Sequence, residues 1–474
     1  MLPRQSIEEL GNKVMAGGCL KITQNGTEKY CLLLVVSILY GVTVTLNWPG
    51  HYSVDSIVQL AEGMTGYYFS IHPALMSQVL GSVSALFGHG VFMAISSSLF
   101  FLAIAIILTN GSGNRLRFWI AGIVAVCISL NPVTLIYNGT VWKDVFCANL
   151  LLLSFAALSR ASPRNWGYLL AALCLSAVAS LVRQQGFLVA VIVWAYAVWQ
   201  MTAPVGWTLK RSAKQLLLIV FLWVSMLLSL NWFVTVHQKE IHTDPAGGLV
   251  TAARFDIAGM IVNAHLPEKA LADFVETPAL TVAAARSAYT PERVDTLGPF
   301  FATLPALSNS QTFALWWQLA KAEPVSLWEH KRMAAAALFG ARPNGQCLPA
   351  HLGIAGATLD ILKKLDFPYD FPPGFLPPTP TYMQQLWSYL SSSFIFFTGW
   401  IWLALLCVVF ILGCRNKNSL AISISVGGLV YSGSFAVVGI ACDFRYQYFG
   451  VVAGMLGLLS VLCNYVPRKT VGID

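Results

Sequence analysis

The sequence predicts an all-α integral membrane protein, and two observations support this prediction. First, 56% of the 474 residues are hydrophobic and only 11% are charged, with a mean hydropathy of +0.65. Because about a quarter of the residues of a soluble domain are charged, this composition excludes an ordinary globular protein. Second, the chain contains ten apolar runs that are long enough to cross a bilayer. They lie at about 30–48, 91–109, 118–136, 142–159, 166–182, 185–201, 215–236, 391–413, 419–440 and 446–465.

Basic residues are concentrated in the segments on one side of the membrane, between successive apolar runs. With the N-terminus in the cytoplasm, the inner segments hold fifteen basic and four acidic residues, whereas the short outer segments hold three basic and four acidic ones. This is the distribution of the positive-inside rule, and it predicts that both termini are cytoplasmic. The net charge of +8 therefore orients the protein and does not indicate a nucleic-acid partner. Counting the shorter apolar stretch 73–88 as a span would invert every later loop, so we interpret it as re-entrant or lying along the membrane surface.

These runs divide the chain into four parts. Residues 1–29 form a cytoplasmic interfacial segment, and residues 30–236 form a seven-span module with its first outer loop at 49–90. Residues 237–390 are long enough for a small, mostly helical domain outside the cytoplasm. Residues 391–474 add three spans and a short cytoplasmic tail. Cys347 and Cys442 are the two cysteines expected on the outer side, and whether they pair is left open.

The first outer loop contains the strongest chemical signal. Asp55 lies just after the first span and is either an N-cap for the helix that begins at Ser56 or a general base at the membrane surface. Glu62 follows on the same helix and could share a divalent metal or tune the pKa of Asp55. His72 precedes Pro73 and is either part of a simple turn or a second functional residue.

Charged residues also lie at other outer helix ends. Lys143 and Asp144 could form a local ion pair, or Lys143 could hold a phosphate. Arg183 opposes the positive-inside trend, so it either binds an anionic group or snorkels to the interface. The remaining candidates are Asp443 and Arg445, as a structural pair or a phosphate site, and the weaker Arg254 in the large loop.

This pattern resembles the GT-C superfamily of membrane glycosyltransferases, including protein mannosyltransferase-like and aminoarabinose transferase-like members. The resemblance rests on Asp55 after span one and on His72-Pro73-Ala74-Leu75 before the next span. It implies a GT-C-type bundle in the bacterial inner membrane, with its active site facing the periplasm.

The implied reaction is an inverting transfer from a polyprenyl-phosphate-linked sugar to a glycan, a lipid or a protein such as a pilin. Asp55 would deprotonate the acceptor, and Lys143, Arg183 or Arg445 would stabilise the departing lipid phosphate. The sequence assigns no cofactor and leaves a divalent metal open. The expected partners are the lipid-linked donor, the acceptor and membrane lipids, without nucleic acid.

Two other functions are compatible with a multispan chain of this kind. A lipid-sugar flippase or transporter usually has charges near the bilayer midplane and internal repeats, and neither is visible here. An O-antigen polymerase or ligase also has a large outer loop, but it relies on outer arginines more than on an acid in the first loop.

Overall fold

The computed structural model describes most of the chain and shows a helical protein. The described residues are 27–69, 72–110, 115–236, 238, 240–242, 247–275, 282–297, 307–340, 347, 380–392 and 394–464. The predicted interfacial segment up to residue 26 and the tail from residue 465 lie outside this set.

The first half of the chain is a series of helices with one short strand. These elements are α1 (Thr27–Asn47), α2 (Val54–Thr65), β1 (Tyr67–Phe69), α3 (Ala74–Phe87), α4 (Val91–Asn110), α5 (Arg115–Ser129), α6 (Pro132–Asn138), α7 (Lys143–Leu158), α8 (Trp166–Val182), α9 (Gln185–Thr202) and α10 (Leu209–Val236).

The second half begins with a strand and a group of shorter helices. They are β2 (Glu240–His242), α11 (Gly247–Val262), α12 (Glu268–Val275), α13 (Val282–Ala288), α14 (Asn309–Ala322), α15 (Pro324–Leu338) and α16 (Thr381–Ser391). Three long helices end the described chain: α17 (Gly399–Asn416), α18 (Ser419–Val438) and α19 (Tyr448–Asn464). Strands β1 and β2 pair in parallel, which joins the first loop to the segment after α10.

Seven helices in the described part of the chain are long and apolar enough to cross a membrane: α1, α4, α9, α10, α17, α18 and α19. The pair α5 and α6 would be an eighth, bent by 59° at its break. Pro132 begins α6 and cannot donate a backbone hydrogen bond, which explains the break. Helix α8 is apolar but has only 17 residues, and α7 has 16.

Helix α7 lies at the centre of the bundle, because every residue from Asp144 to Leu158 is buried. It packs against α4, α8, α9, α18 and α19, so protein neighbours surround it. Helix α10 is peripheral, because only 17% of its apolar 18-residue stretch is buried inside the protein. The residues at the start of α7 are thus positioned by several helices at once.

Two predicted boundaries can be compared with the structure. The stretch 73–88 forms α3, whose 14 residues give a length of only about 21 Å. It packs so closely on α2 that a Cβ atom at Gly63 would lie 1.8 Å from the Ser77 carbonyl oxygen. The predicted span 391–413 begins at Gly399 instead, because a 3₁₀ turn at Phe394–Phe397 separates α16 from α17.

Helices α11 to α15 form a small domain with its own core, which we call the loop domain (residues 247–340). Its core contains Phe255, Met260, Leu271, Leu297 and Leu319. Pro324 opens α15, where its missing amide hydrogen costs no helical bond.

Backbone hydrogen bonds attach the loop domain to the segment between α18 and α19. The amide of Val294 donates to the Ile440 carbonyl, and the amide of Cys442 donates to the Glu292 carbonyl, each at 2.9 Å. Cys442 also forms a disulfide with Cys347, so the pairing that the sequence left open is present.

Candidate functional site

The loop between α1 and α2 docks on the segment between α6 and α7. The amide of His51 donates to the Gly139 carbonyl at 2.9 Å, and the His51 carbonyl accepts from the amide of Val141 at 2.9 Å. A Cβ atom at Gly139 would lie 2.1 Å from Asn47 Oδ1, so this close approach requires glycine. The docking brings the start of α2 beside the start of α7.

Ser53, and not Asp55, caps helix α2. The Ser53 hydroxyl accepts from the amide of Ser56, whose own hydroxyl accepts from the amide of Ser53, so the two residues form a capping box. Trp142 Nε1 donates to Ser53 Oγ at 2.7 Å and fixes the cap against α7. The interpretation of Asp55 as an N-cap is therefore wrong, and its carboxylate is left for other partners.

Asp55 forms an ion pair with Arg445 that joins the first loop to the last one. Arg445 Nη1 donates to Asp55 Oδ2 at 2.7 Å, with 31% of the Asp55 side chain exposed. Burial alone would raise the pKa of the Asp55 carboxyl, but Arg445, with a smaller contribution from Lys143, holds this pKa well below its ordinary value. The carboxylate is therefore ionised at neutral pH and reachable from solvent.

His72 and Lys143 meet beside this ion pair. Burial lowers the pKa of His72 to about 3, and the charge of Lys143 acts in the same direction, so the ring is neutral at pH 7. Lys143 Nζ lies 3.2 Å from His72 Nδ1. With Lys143 as an ammonium group, which only donates, Nδ1 accepts and the proton of the neutral ring lies on Nε2. Among the described residues, no carboxylate forms an ion pair with Lys143.

Asp144 pairs with Arg183, so the predicted local pair between Lys143 and Asp144 is wrong. The Asp144 and Arg183 side chains are 1% and 10% exposed. The guanidinium of Arg183 lies 5.0 Å from the Phe435 ring centroid and 5.2 Å from that of Tyr446. Such a charge is neutralised and stacked inside the protein, which excludes snorkelling.

Arg445 is shared between two carboxylates. Its Nε lies 3.5 Å from Asp443 Oδ2, in addition to the shorter contact with Asp55. Its guanidinium also lies 5.3 Å from the ring centroids of Trp142 and Tyr446. The predicted contact between Asp443 and Arg445 is thus present, but it is the longer of the two contacts of Arg445.

Seven of the nine residues singled out in the sequence thus come together, and we call this group the polar cluster. Its members are Asp55, His72, Lys143, Asp144, Arg183, Asp443 and Arg445.

The other two residues lie elsewhere. Glu62 is fully buried and accepts from the hydroxyl of Ser77 on α3, so it belongs to the packing of α2 on α3. Glu62 is not among the groups that shift the pKa of Asp55, so the structure does not support the prediction that Glu62 tunes this pKa. Arg254 lies on α11, and none of the contacts described for the polar cluster includes it.

The described residues contain no group of three or more His, Cys, Asp or Glu side chains that could hold a metal ion. Each carboxylate of the polar cluster contacts an arginine, whereas Lys143 contacts His72. What this arrangement can do chemically is accept a proton at Asp55 and hold an anion at its basic side chains.

Sequence reasoning missed Arg293, whose Nη2 lies 3.1 Å from Asp443 Oδ1. Nothing in the sequence around Arg293 indicates that it reaches a residue 150 positions away.

No protein-family model, no curated protein and no solved structure matches this chain.

Proposed function

We propose that this chain is an inverting glycosyltransferase that moves a sugar from a polyprenyl-phosphate carrier to an acceptor hydroxyl, at the outer face of the bacterial inner membrane. One observation supports this most strongly: the ionised Asp55 carboxylate lies beside the cations Lys143 and Arg445 and the neutral His72, at the ends of apolar helices. Transfer from a phosphate-linked sugar needs a proton acceptor and fixed positive charge side by side.

In the proposed step, the acceptor oxygen attacks the anomeric carbon from the face opposite the phosphate. The bond between this carbon and the phosphate oxygen breaks, and its electron pair leaves with the lipid phosphate. Asp55 takes the proton of the acceptor hydroxyl. Since the pKa of Asp55 is held low, proton transfer follows the advance of the new bond, which acidifies the hydroxyl.

Lys143 and His72 are the side chains best suited to bind the donor phosphate. Lys143 forms no ion pair with a described carboxylate, and the Nε2 proton of His72 is a second donor beside it. Arg183 is committed to Asp144 and to two aromatic rings, so we assign it a structural role. Arg445 would shift from Asp55 toward the phosphate as negative charge develops there, which also frees the base.

We further propose ten membrane passes in a GT-C-type arrangement. The seven long apolar helices, the broken pair of α5 and α6, and the shorter α7 and α8 correspond to the ten apolar runs of the sequence. With the basic residues of the inner loops in the cytoplasm, the polar cluster and the loop domain face the periplasm. The disulfide between Cys347 and Cys442 supports this orientation, since such bonds persist in oxidising compartments.

A polymerase or ligase of O-antigen chains is the second candidate, favoured by the two arginines Arg183 and Arg445 in the polar cluster. Its donor is a lipid diphosphate, whereas the transferase uses a lipid monophosphate. The mass of a bound lipid therefore separates the two candidates.

The experiment is native mass spectrometry of the protein extracted gently from its own membranes. We expect a bound polyprenyl monophosphate or its glycosylated form in the wild type, and a loss of at least about tenfold in occupancy in Lys143→Gln, because the phosphate loses its unpaired cation. Lys321→Gln is the control, since Lys321 lies in the loop domain over Trp317. A bound diphosphate would favour the polymerase or ligase, and equal occupancy in both variants would remove Lys143 from the site.

A further inference from the structure

Four side chains form a continuous series of ion pairs from the loop domain to the first loop. Arg293 Nη2 contacts Asp443 Oδ1 at 3.1 Å, Asp443 Oδ2 contacts Arg445 Nε at 3.5 Å, and Arg445 Nη1 contacts Asp55 Oδ2 at 2.7 Å. The members come from three separate parts of the sequence, because Asp443 and Arg445 lie in the same segment between α18 and α19. We call this series the relay.

The loop-domain end of the relay is held in place by backbone and covalent contacts. Arg293 and Ala441 form an antiparallel bridge, and hydrogen bonds of 2.9 Å on either side of it tie the loop domain to the same segment. The disulfide between Cys442 and Cys347, which follows the loop domain in the sequence, adds a covalent tie to the same segment. The side chain of Arg293 is only 19% exposed, and that of Asp443 is 2% exposed.

In the middle of the relay, two carboxylates compete for the guanidinium of Arg445. Arg445 faces two carboxylates, and the closer one, Asp55, is the more exposed. A buried carboxylate such as Asp443 would draw a guanidinium strongly if no other cation faced it. Arg293 supplies that other cation, so Asp443 does not need the full charge of Arg445.

We propose that Arg293 is a positioning residue that, by neutralising Asp443, leaves Arg445 paired with Asp55. The loop domain thereby sets whether the Asp55 carboxylate is held or released. The relay itself follows from the contacts, whereas its meaning for catalysis rests on the proposed function, in which Asp55 is the base. An acceptor that moved the loop domain would then release Asp55 only when it is bound.

The test measures Asp55 directly and needs no substrate. Dicyclohexylcarbodiimide modifies protonated carboxyl groups, and peptide mass spectrometry quantifies the rate at Asp55 in the purified full-length protein. In Arg293→Gln, Asp443 draws Arg445 away, so we expect modification to rise about tenfold at fixed pH, equivalent to raising the pKa of Asp55 by about one. Arg293→Lys keeps the charge and should stay near the wild-type rate.

Asp443→Asn separates the relay from a merely structural role. With Asp443 neutral, Arg445 no longer contacts a second carboxylate, so the rate at Asp55 should not rise, and adding Arg293→Gln should change nothing further. Arg286→Gln removes an exposed ion pair with Glu268 in the same domain and serves as the control. A rise in Asp443→Asn, or an effect of Arg293→Gln that persists in the double variant, overturns the relay. Failure of sugar transfer would leave these rates unaffected, so the two proposals fail separately.

Discussion

Replacing Asp55 by Asn tests the proposed chemistry at the position where rate and stability are most clearly separated. The amide can still accept a hydrogen bond from Arg445, but it cannot take a proton. A general base contributes between about 100-fold and 10,000-fold in rate. Because Arg445 holds the pKa of Asp55 low, the carboxylate is a weak base, and we expect the lower end, about 100-fold, or ~2.7 kcal/mol in the barrier.

The structural cost of the same change is small. The Asp55 side chain is 31% exposed, and Arg445 keeps its contact with Asp443, so the ion pair contributes at most about 1 kcal/mol. We therefore expect the midpoint of thermal unfolding to move by no more than about 4 °C. Rate and stability should change by clearly different amounts.

The assay is sugar transfer in proteoliposomes that contain radiolabelled lipid extract from the native membrane. Glu268→Gln is the matched control, because this carboxylate also pairs with an arginine, Arg286, but is 69% exposed and lies outside the polar cluster and the relay. Transfer by Asp55→Asn within about threefold of wild type would refute the role of Asp55 as base. A loss of transfer accompanied by a large fall in the unfolding midpoint would show a structural role instead.

Three further outcomes follow from the geometry. Asp144→Asn or Arg183→Gln alone leaves an uncompensated buried charge and should cost about 3–5 kcal/mol, whereas the double variant should recover much of this in thermal unfolding. Gly139→Ala should destabilise the protein by about 1–3 kcal/mol through its clash with the first loop, while Gly167→Ala, where a Cβ atom meets nothing within 4 Å, should be neutral or slightly stabilising. Since the pKa of His72 is lowered to about 3, its ring stays neutral as the pH falls from 7 to 5, and the rate should show no step near pH 6.5, which a pH–rate profile in the same proteoliposomes would detect.

The long apolar helices could be predicted because hydropathy depends on composition over a whole run. The ends of the runs were less accurate where a local conformation interrupts them. Residues 391–398 are apolar enough to extend the predicted span, but the 3₁₀ turn before Thr398 separates them from α17. Hydropathy does not record such a turn, because the change is in the backbone and not in polarity.

Most residues of the polar cluster were identified in the sequence because they are charged side chains at the outer ends of membrane helices, where such residues are uncommon. Arg183 and Asp55 were recognisable because ionisable residues at membrane helix ends require partners. The identity of each partner was not predictable: Asp144 pairs with Arg183, which lies between α8 and α9, instead of with its neighbour Lys143. Arg293 was not predicted because its contact with Asp443 depends on how the loop domain docks. The local sequence does not indicate this docking.

The charge balance of the polar cluster bears on which donor it fits. Within the polar cluster and its neighbour Arg293, Asp144 is neutralised by Arg183, Asp55 by Arg445 and Asp443 by Arg293, so that Lys143 remains as one positive charge beside a neutral His72. Arg293 also contacts Asp295 at 3.5 Å, but that carboxylate is 73% exposed, so water and salt screen its charge from the site. A sugar linked through a single phosphate carries one negative charge, whereas a diphosphate linkage carries two. The monophosphate therefore leaves no net charge in the site, and the diphosphate leaves an uncompensated one in a partly desolvated place.

We accordingly expect transfer from a monophosphate-linked donor to exceed transfer from the diphosphate-linked form of the same sugar and lipid by at least about tenfold, equivalent to ~1.4 kcal/mol. Both donors would be supplied at equal concentration in proteoliposomes. Lys143→Gln removes the surplus charge and should lower use of both donors, because each then has one more uncompensated negative charge, while the monophosphate donor stays preferred. Equal use of both donors by the wild type would show that the pairing of charges does not select the donor, and a preference for the diphosphate would favour the polymerase or ligase.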